Sequence, residues 1–157
     1  MPAASDPGAV ALPHTFRPRG VRIAAYTFGG LLLLVTTVIW ISLPQNVRDQ
    51  FTIFQRGTVI FFGAAACVAG QALARSRIEA GEGGATVVNG YKSRHYDWNE
   101  IIAITLGGGN PWAKLDLSDG TSVSAMGIQG SDGARAMTQV KQVRALIRQQ
   151  CRTDRDD

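Results

Sequence analysis

Cysteine and histidine are scarce. Cys67 and Cys151 are the only cysteines and His14 and His95 the only histidines in 157 residues. Cys67 falls inside an uncharged run and Cys151 at the end of a polar helical segment, so the two are not expected to pair and a disulfide framework is excluded. None of the four has a neighbour at metal-ligand spacing, so no metal site is expected. Charge is thin as well, at 18% Asp, Glu, Lys and Arg, and 21 of those 28 residues lie from Arg75 onward. The net charge of +4 is spread along the chain, with +1 from Arg75 to the end. No segment therefore carries the concentrated positive excess of a nucleic-acid binder. What the chain does have is 45% apolar residues, most of its aliphatic runs standing before residue 75. That asymmetry predicts a membrane-anchored protein.

Residues 1–22 contain four of the six prolines and end in the basic run Arg17, Arg19 and Arg22. With almost no periodicity, they read as a Pro-rich disordered tail, and they lack the early apolar stretch and small-residue cleavage site of a signal peptide. Residues 23–43 carry no charge and would span about 31 Å as a helix, matching a hydrocarbon core of about 30 Å. Tyr26 and Trp40 fall near the ends of this first transmembrane helix, where amphipathic rings favour the interface. Residues 44–56 read as a short interfacial loop. Residues 57–74 form a second uncharged run of about 27 Å. Here Ala66, Gly70 and Ala74 recur every four residues and Gly63 adds another small position, which predicts a helix-packing face against the first span or a partner helix. Lys and Arg in the short flanks favour both termini in the cytoplasm: Arg17, Arg19, Arg22, Arg75 and Arg77 lie outside the pair of spans, against Arg48 and Arg56 between them. The expected location is the inner (plasma) membrane, multi-pass.

From Arg75 the hydrophobic period changes to two. Residues 77–80, 85–88, 91–96, 101–106, 112–117 and 121–125 read as six short strands, with turn signals at residues 81–84, Asn89–Gly90, residues 107–111 and Asp119–Gly120. Asn89 with Gly90 predicts a type I′ hairpin, in which both residues take positive φ. From Asp132 the period is helical again, with Ala136, Met137, Val140, Val143, Ile147 and Cys151 on one face. Residues 75–157 thus read as an antiparallel sheet closed by one amphipathic helix.

Two apolar helices, then Arg77 and Ile78, the hairpin at Asn89 and Gly90, the run Asp97, Trp98, Asn99, Glu100, Ile101, then Trp112, Asp119 with Gly120 and a terminal helix: this series resembles the actinobacterial bacterial-PH-domain family that includes low-molecular-weight protein antigen 6. The resemblance covers roughly residues 23–150. It implies a two-helix transmembrane hairpin followed by a small α+β domain, a PH-like antiparallel split barrel with a C-terminal capping helix. It carries no catalytic residues across.

No residue pattern points to an enzyme, a cofactor or a small-molecule substrate. Gly107, Gly108 and Gly109 lack the Lys-Ser or Lys-Thr and the helix start of a phosphate loop. Ser93, His95 and Asp97 share one strand face, and residues of one strand cannot set a serine and an aspartate on opposite nitrogens of one imidazole. Trp98 reads as a core anchor. Lys92 and Arg94 form a basic pair, but residues 81–84 supply Glu82 and no cation to complete a phosphoinositide pocket. Two features remain as partner or lipid contacts: Trp112 beside the glycine loop, and Arg144, Arg148 and Arg152 on the terminal helix. The expected function is an accessory or assembly subunit whose partners are other integral membrane subunits, with a respiratory complex as one plausible host. The alternative is a module that binds or senses membrane lipid.

Overall fold

A computed structural model describes residues 10–153, with the side chains of residues 152 and 153 outside that description. The first described element is β1 (His14–Phe16), a strand where the sequence predicts only a disordered tail. Phe16 is fully buried and Pro18 joins it. Three residues between prolines are too few to show a period, and β1 exists because a partner strand distant in sequence pairs with it. The rest of the proposed tail, residues 1–9, lies outside the described residues.

Two long helices follow, α1 (Gly20–Ser42) and α3 (Ile53–Arg75), joined through the single turn α2 (Gln45–Arg48). Both begin earlier than hydropathy alone indicates. The start of α3 is set by a capping box, in which the Thr52 hydroxyl accepts from the Gln55 backbone N–H and the Gln55 side chain accepts from the Thr52 backbone N–H. Arg56 therefore sits inside the helix rather than before it. Its Nη2 donates to the Arg48 carbonyl (2.7 Å), its Nε to the Phe51 carbonyl (3.1 Å), and its guanidinium lies 5.4 Å from the Trp40 ring centre, so one side chain closes the α1–α3 turn.

Six further strands and a helix complete the chain: β2 (Arg77–Ala80), β3 (Gly84–Asn89), β4 (Lys92–Asp97), β5 (Ile101–Thr105), β6 (Trp112–Leu117), β7 (Ser122–Gln129) and α4 (Ala134–Thr153). They form two antiparallel sheets, β1-β2-β3-β4 and β5-β6-β7. β1 pairs with β2, Phe16 standing opposite Ile78. The apolar helical hairpin is thus inserted between two neighbouring strands of one sheet, rather than simply preceding the domain.

The sheets pack face to face around Ile78, Val87, Ile104, Leu115 and Ile128, with Val140, Val143 and Leu146 of α4 covering the open side. Gly127 lets β7 cross β2: a Cβ there would lie 2.6 Å from the Arg77 carbonyl carbon, so no larger residue fits. The β3–β4 turn is shifted by one residue from the expected type I′. Gly90 (φ 64°) and Tyr91 form the loop, no described residue other than glycine has positive φ, and Asn89 pairs with Lys92 at the strand ends. The Asn89 side chain is used elsewhere, donating through Nδ2 to the Ser124 carbonyl and accepting at Oδ1 from the Met126 N–H (3.0 Å), which stitches the first sheet to β7. In α4 the expected inner face holds except at Met137, which is 49% exposed, and Gln139 and Leu146 are buried in addition.

Candidate functional site

Antiparallel connectivity sorts the turns of the barrel into two ends. At one end α1 begins and α3 finishes, and three other turns gather there. Asp132, just before α4, accepts at Oδ2 from Arg19 N–H (3.0 Å) and at Oδ1 from Gly20 N–H (2.9 Å), capping α1 from across the fold. Gly90 lies against Ala72, the Tyr91 hydroxyl donates to the Val68 carbonyl (3.3 Å), and Arg75 stacks 5.4 Å from the Tyr91 ring centre. The Gly130 N–H donates to the Pro111 carbonyl (2.9 Å), drawing in the β5–β6 loop. At the far end, Trp98 Nε1 donates to the Gly81 carbonyl (3.0 Å), Ser118 N–H donates to the Glu100 carbonyl (2.8 Å), and Cys151 Sγ reaches the Trp98 carbonyl at 3.7 Å. Trp98 is buried, as its expected anchoring role requires.

This sorting separates the residues proposed as partner or lipid contacts. Trp112 is half-buried at the helix-side end, where it helps line an open groove of about 790 Å³ between the hairpin and the barrel. Arg144 and Arg148 of α4 go the other way. At 1.5 Å per residue, Arg148 stands about 21 Å along the axis from Ala134, toward the far end. Arg144 and Arg148, with Lys141, rim a smaller groove of about 390 Å³ lined also by Ile102, Ala103 and Ile147. Arg144 Nε donates to the Ile104 carbonyl (2.9 Å) at the free edge of β5, so this cation is partly structural. The Arg152 side chain lies outside the described residues.

The small-residue positions also divide. Ala66 and Gly70 face α1, where a Cβ added at Gly70 would lie 3.7 Å from the Ala25 Cβ, while Ala74 is buried under the barrel. Gly63 has open space beside it.

On the outer face of β3 and β4, His95 lies between Thr86 (Oγ1 to Nδ1, 3.0 Å) and Asp97 (Oδ1 to Nε2, 3.4 Å). A hydroxyl and a carboxylate do reach opposite ring nitrogens here, the hydroxyl coming from the neighbouring strand instead of from Ser93. The face is flat, and His95 and Asp97 are more than half exposed, so nothing there excludes water from a reacting group. The cluster ties the outer faces of β3 and β4 together.

The Bacterial PH domain model matches residues 75–146, which hold β2 to β7 and most of α4. An uncharacterized protein of Mycobacterium tuberculosis and one of Mycobacterium bovis are each 33% identical to the chain over 125 residues, 78% of this chain and 74% of the relative. The chain belongs to the bacterial PH domain family. No solved structure matches it significantly. The likeness to the mycobacterial relatives is longer than the stretch from Arg75 to the end of the chain, so it reaches into the apolar hairpin. In this bacterial PH domain β1 lies outside the block matched by the family, on the other side of that hairpin.

Proposed function

We propose that this bacterial PH domain protein is a non-enzymatic, membrane-anchored accessory or assembly subunit that holds a fixed protein surface beside other integral membrane subunits. The observation that carries the reading is the insertion of the helical hairpin between paired core strands. Phe16 and Gly20 are separated by three residues, and α3 and β2 by Ser76 alone. A domain joined so closely has one orientation relative to its helices, which suits a scaffold better than a module that cycles on and off a membrane. α1 and α3 are long and apolar enough to cross a membrane. Most of their large side chains, Leu31 to Leu34 and Phe61 with Phe62 among them, are exposed, as lipid- or partner-facing positions would be. A cleaved leader would carry β1 and the buried Phe16 away with it, which argues that α1 is kept.

Stoichiometric co-purification of other membrane subunits with the full chain in mild detergent is the expected result. A chain that always purifies alone would favour the second reading, a lipid-surface module. That reading finds less support in α4, where Arg144 and Arg148 stand away from the helix-side end.

β1–β2 pairing supports a topology with both flanks of the hairpin on one side of the membrane, and the flanking arginines favour the cytoplasmic side. In a chain lacking Cys67 and Cys151, an impermeant thiol reagent on intact cells should label a cysteine at Asn46 and miss one at Ser118. The opposite pattern would place the domain outside.

A further inference from the structure

The groove at the helix-side end has a property that neither the fold nor the scaffold reading requires. Its apolar lining comes from Val21 in the first turn of α1, Leu73 in the last turns of α3, Leu106, Pro111 and Trp112 around the β5–β6 loop, and Met137 of α4. Met137 is 49% and Leu73 42% exposed, so apolar side chains of the domain and of the hairpin stand open in the same groove. Among the described residues no Asp, Glu, Lys or Arg lines the groove, so they offer no counter-charge for a phosphate. Its volume of about 790 Å³ lies within the range of ligand sites, about 300–1,000 Å³. Its polar groups, Asn110 and Ser131 among them, are neutral amides and hydroxyls, together with the backbone of Gly107, Gly108 and Gly109.

We propose that this groove is filled by a bilayer lipid, with the upper acyl chain against Val21, Leu73, Trp112 and Met137 and the neutral ester region toward Asn110 and Ser131. The inference rests on the reading of α1 and α3 as membrane spans. Val21 and Leu73 belong to those helices, so the groove is continuous with the lipid-facing surface at the level where the helices leave the membrane. An indole at that depth is in its favoured environment, with an apolar ring body and a hydrogen-bonding edge. The three glycines at the loop tip present backbone without side chains, which lets the loop enter a crowded headgroup layer. The β5–β6 loop is then a second point of membrane contact, and it fixes the tilt of the barrel.

Tryptophan quenching of the full chain in proteoliposomes tests this, using phospholipid brominated on the upper part of its acyl chains. Trp98 is buried at the far end and serves as a constant background in W40F, W112F and the double variant W40F/W112F. The expected result is that brominated lipid quenches W40F strongly and W40F/W112F hardly at all, and that the emission of W40F is shifted to the blue relative to the same protein in urea. Trp40, at the opposite end of α1, reports on the span itself. If W112F is quenched but W40F and W40F/W112F respond alike, the hairpin is in the bilayer and the groove excludes lipid, which overturns the proposal alone. If W112F is not quenched either, the membrane reading falls with it.

Discussion

Asp132 and Arg19 are 113 residues apart, yet one carboxylate satisfies two of the four backbone N–H groups that the start of α1 leaves unpaired. A negative group at a helix N-terminus also complements the helix dipole. Asp132→Ala should therefore lower stability by about 0.5–2 kcal/mol, in the range of lost N-caps. Asp132→Asn, with a single acceptor oxygen, should fall between it and the parent in thermal unfolding of the detergent-solubilised protein. Equal melting temperatures for all three would show that the cap contributes nothing. At the far end, Asp119 Oδ1 accepts from the Thr121 hydroxyl (2.7 Å) and from the Thr121 N–H (2.8 Å). These bonds, the hydroxyl first, hold its carboxyl below the usual carboxylate range. A group depressed in the folded state adds its stability above its unfolded pKa and loses it as pH falls through the folded value. Thr121→Val removes the larger cause. The Asp119 carboxyl carbon should then titrate at higher pH by NMR, and an unchanged midpoint would refute the assignment.

Among elements, the helical hairpin depends on small residues in one short stretch. A Cβ added at Gly70 would already touch the Ala25 Cβ, and Ala66 with Gly70 borders the crevice that Gly29 and Gly30 open on α1. Leucine at position 70 would push the helices apart, whereas Val59 is exposed and its change to leucine alters only an outward surface. In a chain lacking Cys67 and Cys151, cysteines placed at Ala25 and Ala66, which border one crevice, should be joined efficiently by a short bifunctional thiol reagent in the parent and in V59L and poorly in G70L, with membrane insertion unchanged in all. Equal cross-linking in G70L and V59L would remove any special role for the stripe. The four-residue spacing could be read from sequence because a helix returns to one face at that interval. Gly63 fits the same composition but has open space beside it, because composition does not say which turn of a helix meets a neighbour.

In the whole molecule, Phe16 is the residue through which the segment before the hairpin enters the core. It is fully buried on β1. Phe16→Ala should cost about 3–5 kcal/mol, a large share of the about 5–15 kcal/mol that holds an ordinary domain together. Phe28→Ala removes a ring that is 71% exposed on α1 and should leave the barrel unchanged. Limited proteolysis of the full chain would show it, with rapid cleavage inside residues 77–150 for F16A and parent-like resistance for F28A. A fragment starting at Arg75 lacks β1 altogether and should resemble F16A rather than a free-standing domain.

Periodicity and hydropathy by themselves determined the two long apolar helices, the strands from Arg77 to Leu117, the amphipathic terminal helix and the core role of Trp98. Each of these is a local pattern: a helix or strand repeats its environment every few residues, and enough residues are present to show the repeat. Tertiary structure decided β1, the turn used by Asn89, the exposure of Met137 and the division of the barrel into two ends. Three residues between prolines carry no period, and whether they pair depends on β2, which stands beyond the whole helical hairpin. Asn89 is a strong turn former, but its side chain makes two bonds to β7 and the turn moves one residue along to glycine. For the same reason a sequence reading could place Trp112 and the arginines of α4 in one set of surface contacts. Only antiparallel pairing, reversing direction at every turn, puts the tryptophan beside the hairpin and carries Arg148 away from it.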